Sequence, residues 1–210
     1  MTERTARLVT LLILAGAMGV LGYAGWYQFR AATRGDDPLA MEPVVLPSHR
    51  DKPDRPWHEL EFTERSGRRL KLGDLKGRVW IASFFFANCP GFCAKMNQAV
   101  AALQQELADK DVTFVSITVD PQHDTPEALQ KYAREYRADA QRWLFLNGEL
   151  SHAEAVGDAF HVTVVARDHT DRLILVGPDL QVRGTYHSLE EADLKRLRRD
   201  LEKLLSQQGP

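Results

Sequence analysis

Val79-Trp80-Ile81-Ala82-Ser83-Phe84-Phe85-Phe86 is an uncharged run rich in β-branched and aromatic residues. Such a run predicts a strand buried on both faces. Beyond it the period changes, and Met96, Val100, Leu103 and Leu107 recur at helical spacing. Upstream, Glu59-Leu60-Glu61-Phe62-Thr63 and Arg69-Leu70-Lys71-Leu72 alternate polar and apolar about a Ser66-Gly67 turn, which predicts a β-hairpin. Downstream, Val112-Thr113-Phe114-Val115-Ser116-Ile117-Thr118-Val119 predicts a second buried strand. The loop after it offers Thr125 as a helix cap and Pro126 at the first helical position, with Leu129, Tyr132, Ala133 and Tyr136 on one helical face. Trp143-Leu144-Phe145-Leu146 is a third strand, and residues 153–160 form a short helix. Leu173-Ile174-Leu175-Val176 and Gln181-Val182-Arg183-Gly184-Thr185-Tyr186 flank Gly177-Pro178-Asp179 as an antiparallel edge hairpin. Ser188 with Glu191 reads as a capping box, and Leu194, Leu197, Leu201 and Leu204 stripe the last helix.

Strand, helix, strand, helix implies right-handed crossovers and a parallel core. A β-hairpin, then βαβ, then αββα, with two cysteines at the amino end of the first helix, is a thioredoxin-like α/β arrangement. Residues 57–210 suffice for a single core.

The amino end follows a different pattern. Residues 8–29 are 22 residues without a charge, bracketed by Arg4 and Arg7 before and Arg30 and Arg34 after. At about 1.5 Å per residue that crosses a hydrocarbon layer of roughly 30 Å. The rival is a cleaved signal peptide, with Ala15-Gly16-Ala17 as the cleavage site. The apolar run continues past that point to Tyr23, Trp26 and Tyr27, an interfacial aromatic cluster that favours an uncleaved anchor. No cysteine follows the run, against a lipoprotein anchor of the usual kind. The organisation expected is a tail over residues 1–7, a single transmembrane helix over 8–29, a Pro-rich tether over 30–56 and the folded domain over 57–210. The short basic tail places the domain outside. The absence of a basic, serine-rich presequence favours a bacterial inner membrane with the domain on the periplasmic side. In an organelle the equivalent is the mitochondrial inner membrane, facing the intermembrane space.

Composition adds little that is specific. The chain carries 27 basic and 29 acidic residues, and its densest basic stretch, Lys195-Arg196-Leu197-Arg198-Arg199, is interrupted by a helical-period leucine. That is a solvated helix face and no footprint for a nucleic acid.

Both cysteines of the chain, Cys89 and Cys93, lie in Ala87-Asn88-Cys89-Pro90-Gly91-Phe92-Cys93-Ala94-Lys95, where the central strand gives way to the helix. Helix-end N–H groups favour a thiolate, so both sulfurs are expected to be reactive, with Pro90 in the first turn and Gly91 bending the chain. Two converging thiolates suit a soft metal or a disulfide. The plain alternative is a pair of inert buried cysteines. Two thiolates leave a soft metal under-coordinated, and His169 stands in the loop before the edge hairpin, which faces the pair in such folds; by position alone it is equally an ordinary surface histidine. Asp168 stands beside it as a possible orienting carboxylate. His49, His58, His123 and His161 read as solvated or structural, and His152 and His187 as helix-entry residues.

Four segments together resemble the Sco/SenC family of copper chaperones for cytochrome oxidase. Phe84-Phe85-Phe86-Ala87-Asn88-Cys89-Pro90-Gly91-Phe92-Cys93 resembles its Cys-Pro-x-x-Cys element, and Val119-Asp120-Pro121-Gln122-His123-Asp124-Thr125-Pro126 its Val-Asp-Pro-x-x-Asp-Thr-Pro loop. Trp143-Leu144-Phe145-Leu146-Asn147-Gly148 resembles its Trp-x-x-Leu-x-Gly segment, and Asp168-His169-Thr170 its metal-binding Asp-His-Ser/Thr element. Ala94 departs from the pattern, where the family often has a second proline. The resemblance implies that Cys89, Cys93 and His169 bind copper, as Cu(I) or Cu(II), for delivery to the dinuclear copper site of cytochrome c oxidase subunit II. It implies a copper donor and a thioredoxin-like reductant as further partners, and requires no substrate turnover. The competing function is a thiol–disulfide oxidoreductase using the Cys89–Cys93 pair on the oxidase or another extracytoplasmic acceptor. Against it, three residues separate the cysteines where thioredoxins have two, and Pro178 lies inside a hairpin turn. A peroxidase is disfavoured, because Ala82 and Phe86 stand where the Pro and Thr of Pro-x-x-x-Thr-x-x-Cys would be.

Overall fold

A computed structural model describes residues 22–26, 28, 53–168 and 170–207. The chain divides into two units, Met1–Ser48 and His49–Pro210. In the first, residues 22–26 and 28 are helical and exposed, and the Tyr23 and Trp26 rings lie 6.1 Å apart. The expected anchor and tether fall largely outside the described residues. Among the described residues no helix is long and apolar enough to cross a membrane.

The second unit is built on one seven-stranded mixed sheet. Its strands are β1 (Glu61–Glu64), β2 (Arg69–Lys71), β3 (Val79–Phe85), β4 (Val112–Thr118), β5 (Trp143–Asn147), β6 (Arg172–Val176) and β7 (Val182–His187). They lie in the order β2-β1-β5-β4-β3-β6-β7. The helices are α1 (Phe92–Glu106), α2 (Pro126–Glu135), α3 (Leu150–Ala159) and α4 (Glu191–Ser206). β3, β4 and β5 run parallel and form the centre, while the β1–β2 and β6–β7 hairpins join antiparallel on either side. All seven residues of β3 and all seven of β4 are buried, as their lack of charge requires.

Successive right-handed crossovers from β3 to β4 to β5 place α1 and α2 on one face. Tyr132 of α2 stacks on Phe85 there, with ring centroids 5.3 Å apart, and accepts a 2.9 Å hydrogen bond from Asn97 of α1. Trp80, five residues earlier on β3 and so of opposite orientation, packs instead against Phe160 at the end of α3, on the other face. The hydroxyls of Ser83 and Ser116 lie 3.0 Å apart across β3 and β4, and Trp143 Nε1 donates to Ser116 at 3.0 Å, so this buried polar cluster is satisfied internally.

Local expectations fare unevenly. Thr125 caps α2, accepting from Ala128 N–H at 3.3 Å, with Pro126 at the first position. The capping box at Ser188 does not form: α4 begins at Glu191 with Glu190 as cap, and the Ser188 hydroxyl is buried without a partner. Ser188 N–H is instead taken by the Asp171 carbonyl, which locks the chain into the hairpin before the helix starts. His187 is likewise no helix-entry residue; it ends β7, and its Nδ1 bonds to Asp171 Oδ2.

Candidate functional site

The cysteines sit at the carboxyl end of β3, the pole where open α/β sheets bind ligands. After Phe85 the chain turns at residues 87–88, and Cys89, Pro90 and Gly91 all precede α1, whose first residue is Phe92. Pro90 is therefore not in the helix. Gly91 caps it with φ of 110°, a conformation that a Cβ disfavours.

Cys89 is half-buried and Cys93 fully buried, and both thiols are free. The backbone N–H of Cys93 donates to Cys89 Sγ at 3.3 Å, so the helix amino end is aimed at the first sulfur. Cys93 departs from expectation. Burial, together with the neighbouring Cys89 sulfur, pushes its thiol up to about 12 against partial relief from the backbone at Phe86 and Cys93. A helix end supplies about 0.3–1 kcal/mol, while burying a charge costs several. Desolvation wins at Cys93, and the two sulfurs are unequal.

The loop after β4 braces this turn. Ala87 N–H donates to Asp124 Oδ2 at 3.0 Å, and the Thr118 hydroxyl donates to the same oxygen. Asp120 N–H donates to Thr118 Oγ1 at 3.0 Å, and His123 Nδ1 lies 2.8 Å from Asp120 Oδ1. Arg167 reaches the cluster from another segment. Its N–H donates to the Val119 carbonyl at 3.3 Å, its Nη1 is 3.7 Å from Asp120 Oδ2, and its guanidinium lies 6.0 Å from the Phe86 ring centroid.

His169 lies outside the described residues. Its flanks do not: Arg167 stands beside Val119, and β6 opens at Arg172 with Ile174 opposite Ala82, so the segment leading into β6 arrives at the pole of the cysteines. Among the described residues no three His, Cys, Asp or Glu side chains stand close enough to hold a metal ion. His152 is in the first turn of α3, 3.2 Å from the Glu61 carbonyl, and His161 follows α3, exposed with φ of 56°.

Thr118, Asp120, Asp124 and Arg167 were not singled out as bracing residues by pattern. The cue available was two aspartates four apart in a short loop directly after a buried strand, where a buried carboxylate must find donors.

The SCO1/SenC family model matches residues 50–206. The SCO1 protein homolog of Bacillus subtilis is 34% identical over 139 residues, covering 61% of this chain and 72% of that one. The crystal structure of a SCO1/SenC family lipoprotein from Bacillus anthracis superposes with a TM-score of 0.64 at 30% identity, over 69% of this chain and 92% of that chain. The structure of BsSco, described as a member of the Sco family of cytochrome c oxidase assembly proteins with a disulfide switch, gives a TM-score of 0.64 at 31% identity, over 70% of this chain and 91% of that one. The family match takes in every strand of the sheet, all four helices around it and both cysteines, and the chain belongs to the SCO1/SenC family.

Proposed function

We propose that this is a membrane-tethered copper-binding protein of cytochrome c oxidase assembly. Cys89, Cys93 and His169 bind copper, which is handed to the dinuclear copper site of subunit II. The observation that carries this reading is the pair of free thiols held together at the carboxyl end of β3. Thiolates select Cu(I), and an imidazole accommodates Cu(II) as well. Copper is cargo here, so a set of three ligands that leaves room for an acceptor's thiolate suits transfer better than a closed site. Residues 8–29 hold the domain to the bacterial inner membrane, 30–56 space it from the bilayer, and 57–210 face the periplasm. A copper donor and a thioredoxin-like reductant complete the cycle, since the cysteines must be reduced to load metal.

The inequality of the sulfurs supports a second reading, thiol–disulfide exchange. Half-buried Cys89, bonded by a helix-end N–H, suits attack on an acceptor disulfide, and buried Cys93 suits resolution of the mixed disulfide.

Anaerobic titration of the reduced domain from Pro53 onward with Cu(I), against a competing chelator, separates the two. One tightly bound copper, weakened in Cys89→Ser, Cys93→Ser and His169→Ala, supports the chaperone. No binding in the reduced wild type transfers the function to exchange chemistry.

A further inference from the structure

At the pole opposite the cysteines, the β1–β2 turn and the segments entering β3 and β5 enclose a cleft of about 1040 Å³. Six arginines line it: Arg65, Arg68 and Arg69 at the hairpin, Arg78 before β3, Arg134 on α2 and Arg142 before β5. The carboxylates on the same walls are Glu64, Asp74 and Asp111, with Glu61 on Arg69 and Asp139 beside Arg65 and Arg142, so arginines outnumber carboxylates around the cleft.

Two of the wall carboxylates are already engaged. Glu64 Oε2 accepts from Ser66 N–H at 2.8 Å while its Oε1 lies 3.5 Å from Arg65 Nε, and Asp74 Oδ2 accepts from Lys71 N–H at 2.8 Å. Arg69 is turned to Glu61 at 2.5 Å, and Arg134 bonds to Gln130 at 3.5 Å. Arg68 and Arg78 are exposed and have no side-chain partner among the described residues.

A solvated basic face would look similar at those two positions. Two fixed arginines, Arg65 buried and Arg142 half-buried, distinguish the cleft. Arg65 is only 8% exposed, packs over the Phe145 ring and donates through Nη2 to the Asp139 and Ala138 carbonyls at 3.1 and 3.5 Å, yet its Nη1 has no acceptor. Arg142 donates through Nη2 and Nη1 to the Leu107 and Ala108 carbonyls at 2.6 and 3.2 Å, yet its Nε has none. A buried donor left unpaired costs about 1–3 kcal/mol. Both guanidiniums line one cationic concavity and are held in place by carbonyls. Guanidinium forks match phosphate oxygens in geometry, so fixed guanidiniums in a concavity suit an oxyanion.

We propose that this cleft binds a phosphate-bearing anion, at a site separate from the cysteine pole. The seven residues of β3 stand between Arg78 and the cysteine turn, roughly 20 Å at strand rise. A multiply charged phosphate uses the charge excess more fully than a single carboxylate does. The phosphate belongs either to a free anion or to an anionic lipid headgroup at the membrane from which the domain is tethered.

The full chain in neutral detergent, titrated calorimetrically with inorganic pyrophosphate and separately with glycerophosphoglycerol, tests this. Saturable, salt-sensitive binding of pyrophosphate alone identifies a free phosphate as the ligand; binding of glycerophosphoglycerol, alone or as well, identifies a lipid headgroup. In either case the exposed double variant Arg68→Gln/Arg78→Gln should weaken binding at least tenfold while leaving Cys89 alkylation unchanged, and Asp111→Asn should tighten it. Absence of saturable binding of both probes in the wild type, or unchanged affinity in both variants, overturns the proposal.

Discussion

Ala87 N–H and Asp124 Oδ2, 3.0 Å apart, tie the turn that carries Cys89 to the loop that follows β4. The carboxyl that makes this tie is 2% exposed, and burial, its main influence, raises its pKa against the lowering effect of Thr118 and Ala87. For a carboxyl raised in the folded state, the unfolded chain ionises first as pH climbs. Stability from this group is therefore greatest in acid, falls between the unfolded value and the raised folded one, and stays low at neutral pH. Asp124→Asn keeps an acceptor for Ala87 and Thr118 and removes that dependence. Urea denaturation of the domain should show the variant gaining on wild type as pH climbs above about 4, by about 1.4 kcal/mol for each tenfold change in the proton equilibrium. A difference that stays constant over that range would mean the carboxyl ionises as freely in the fold as out of it.

The opposite sulfurs give a sharper contrast. Cys93 is fully buried and Cys89 half-buried, so iodoacetamide should modify Cys89 in the native protein and reach Cys93 only through opening of the fold. Peptide mass spectrometry with and without denaturant reads this directly. Equal native labelling would remove the asymmetry on which thiol exchange at this pair depends.

Much of the unit was legible because β3 and β4 are uncharged and buried on both faces, and because Met96, Val100 and Leu103 recur on one side of α1. Those patterns depend on burial, which composition records. Helix starts at the site were not legible to the same degree. Pro90 suits a first helical turn equally well just outside one, and the left-handed Gly91 decided the matter by placing the start at Phe92. Ser188 had the spacing of a capping box, but Asp171 from a distant segment captured its N–H. The state of Cys93 was missed for a related reason: a helix end is visible in sequence, whereas the packing that desolvates a sulfur is tertiary.

Asp120 joins the end of β4 to the segment approaching His169, in the same loop whose Asp124 ties down the cysteine turn. It is buried, holds His123 Nδ1 at 2.8 Å and faces Arg167 Nη1 at 3.7 Å. If His169 ligates copper, Asp120→Ala, which releases both His123 and Arg167 from the loop, should weaken copper affinity more than Arg167→Ala does. Arg167→Ala removes a half-exposed pair worth at most about 1 kcal/mol, and should cost no more than severalfold. Competition titration with Cu(I) and Cu(II) ranks them. An Asp120→Ala domain with wild-type affinity would show that the cluster holds the fold alone.

The hydroxyl of Ser116 accepts from Trp143 Nε1 and meets Ser83 Oγ, all within the parallel core. Ser116→Ala leaves the indole N–H buried without an acceptor, at a cost of about 1–3 kcal/mol. Ser83→Ala leaves that bond intact and should cost less. Denaturant midpoints at equal slope check the order; a reversed order would mean Trp143 finds another acceptor.

Gly91 holds the two sulfurs in their relationship through its backbone alone. A Cβ built there meets nothing within 4 Å, so Gly91→Ala creates no clash, but φ is 110°. An L-residue in left-handed territory costs about 1–2 kcal/mol, and the chain can escape that cost only by rotating the turn that places Cys89 under the Cys93 N–H. The alanine variant should lose stability by that amount, and its native Cys89 alkylation rate should change as the hydrogen bond to Sγ loosens. A D-alanine at the same position, introduced by semisynthesis, should restore both, because its preferred φ is positive. Failure of the D-residue to restore them would show that the sign of φ at this position is not what sets stability and reactivity.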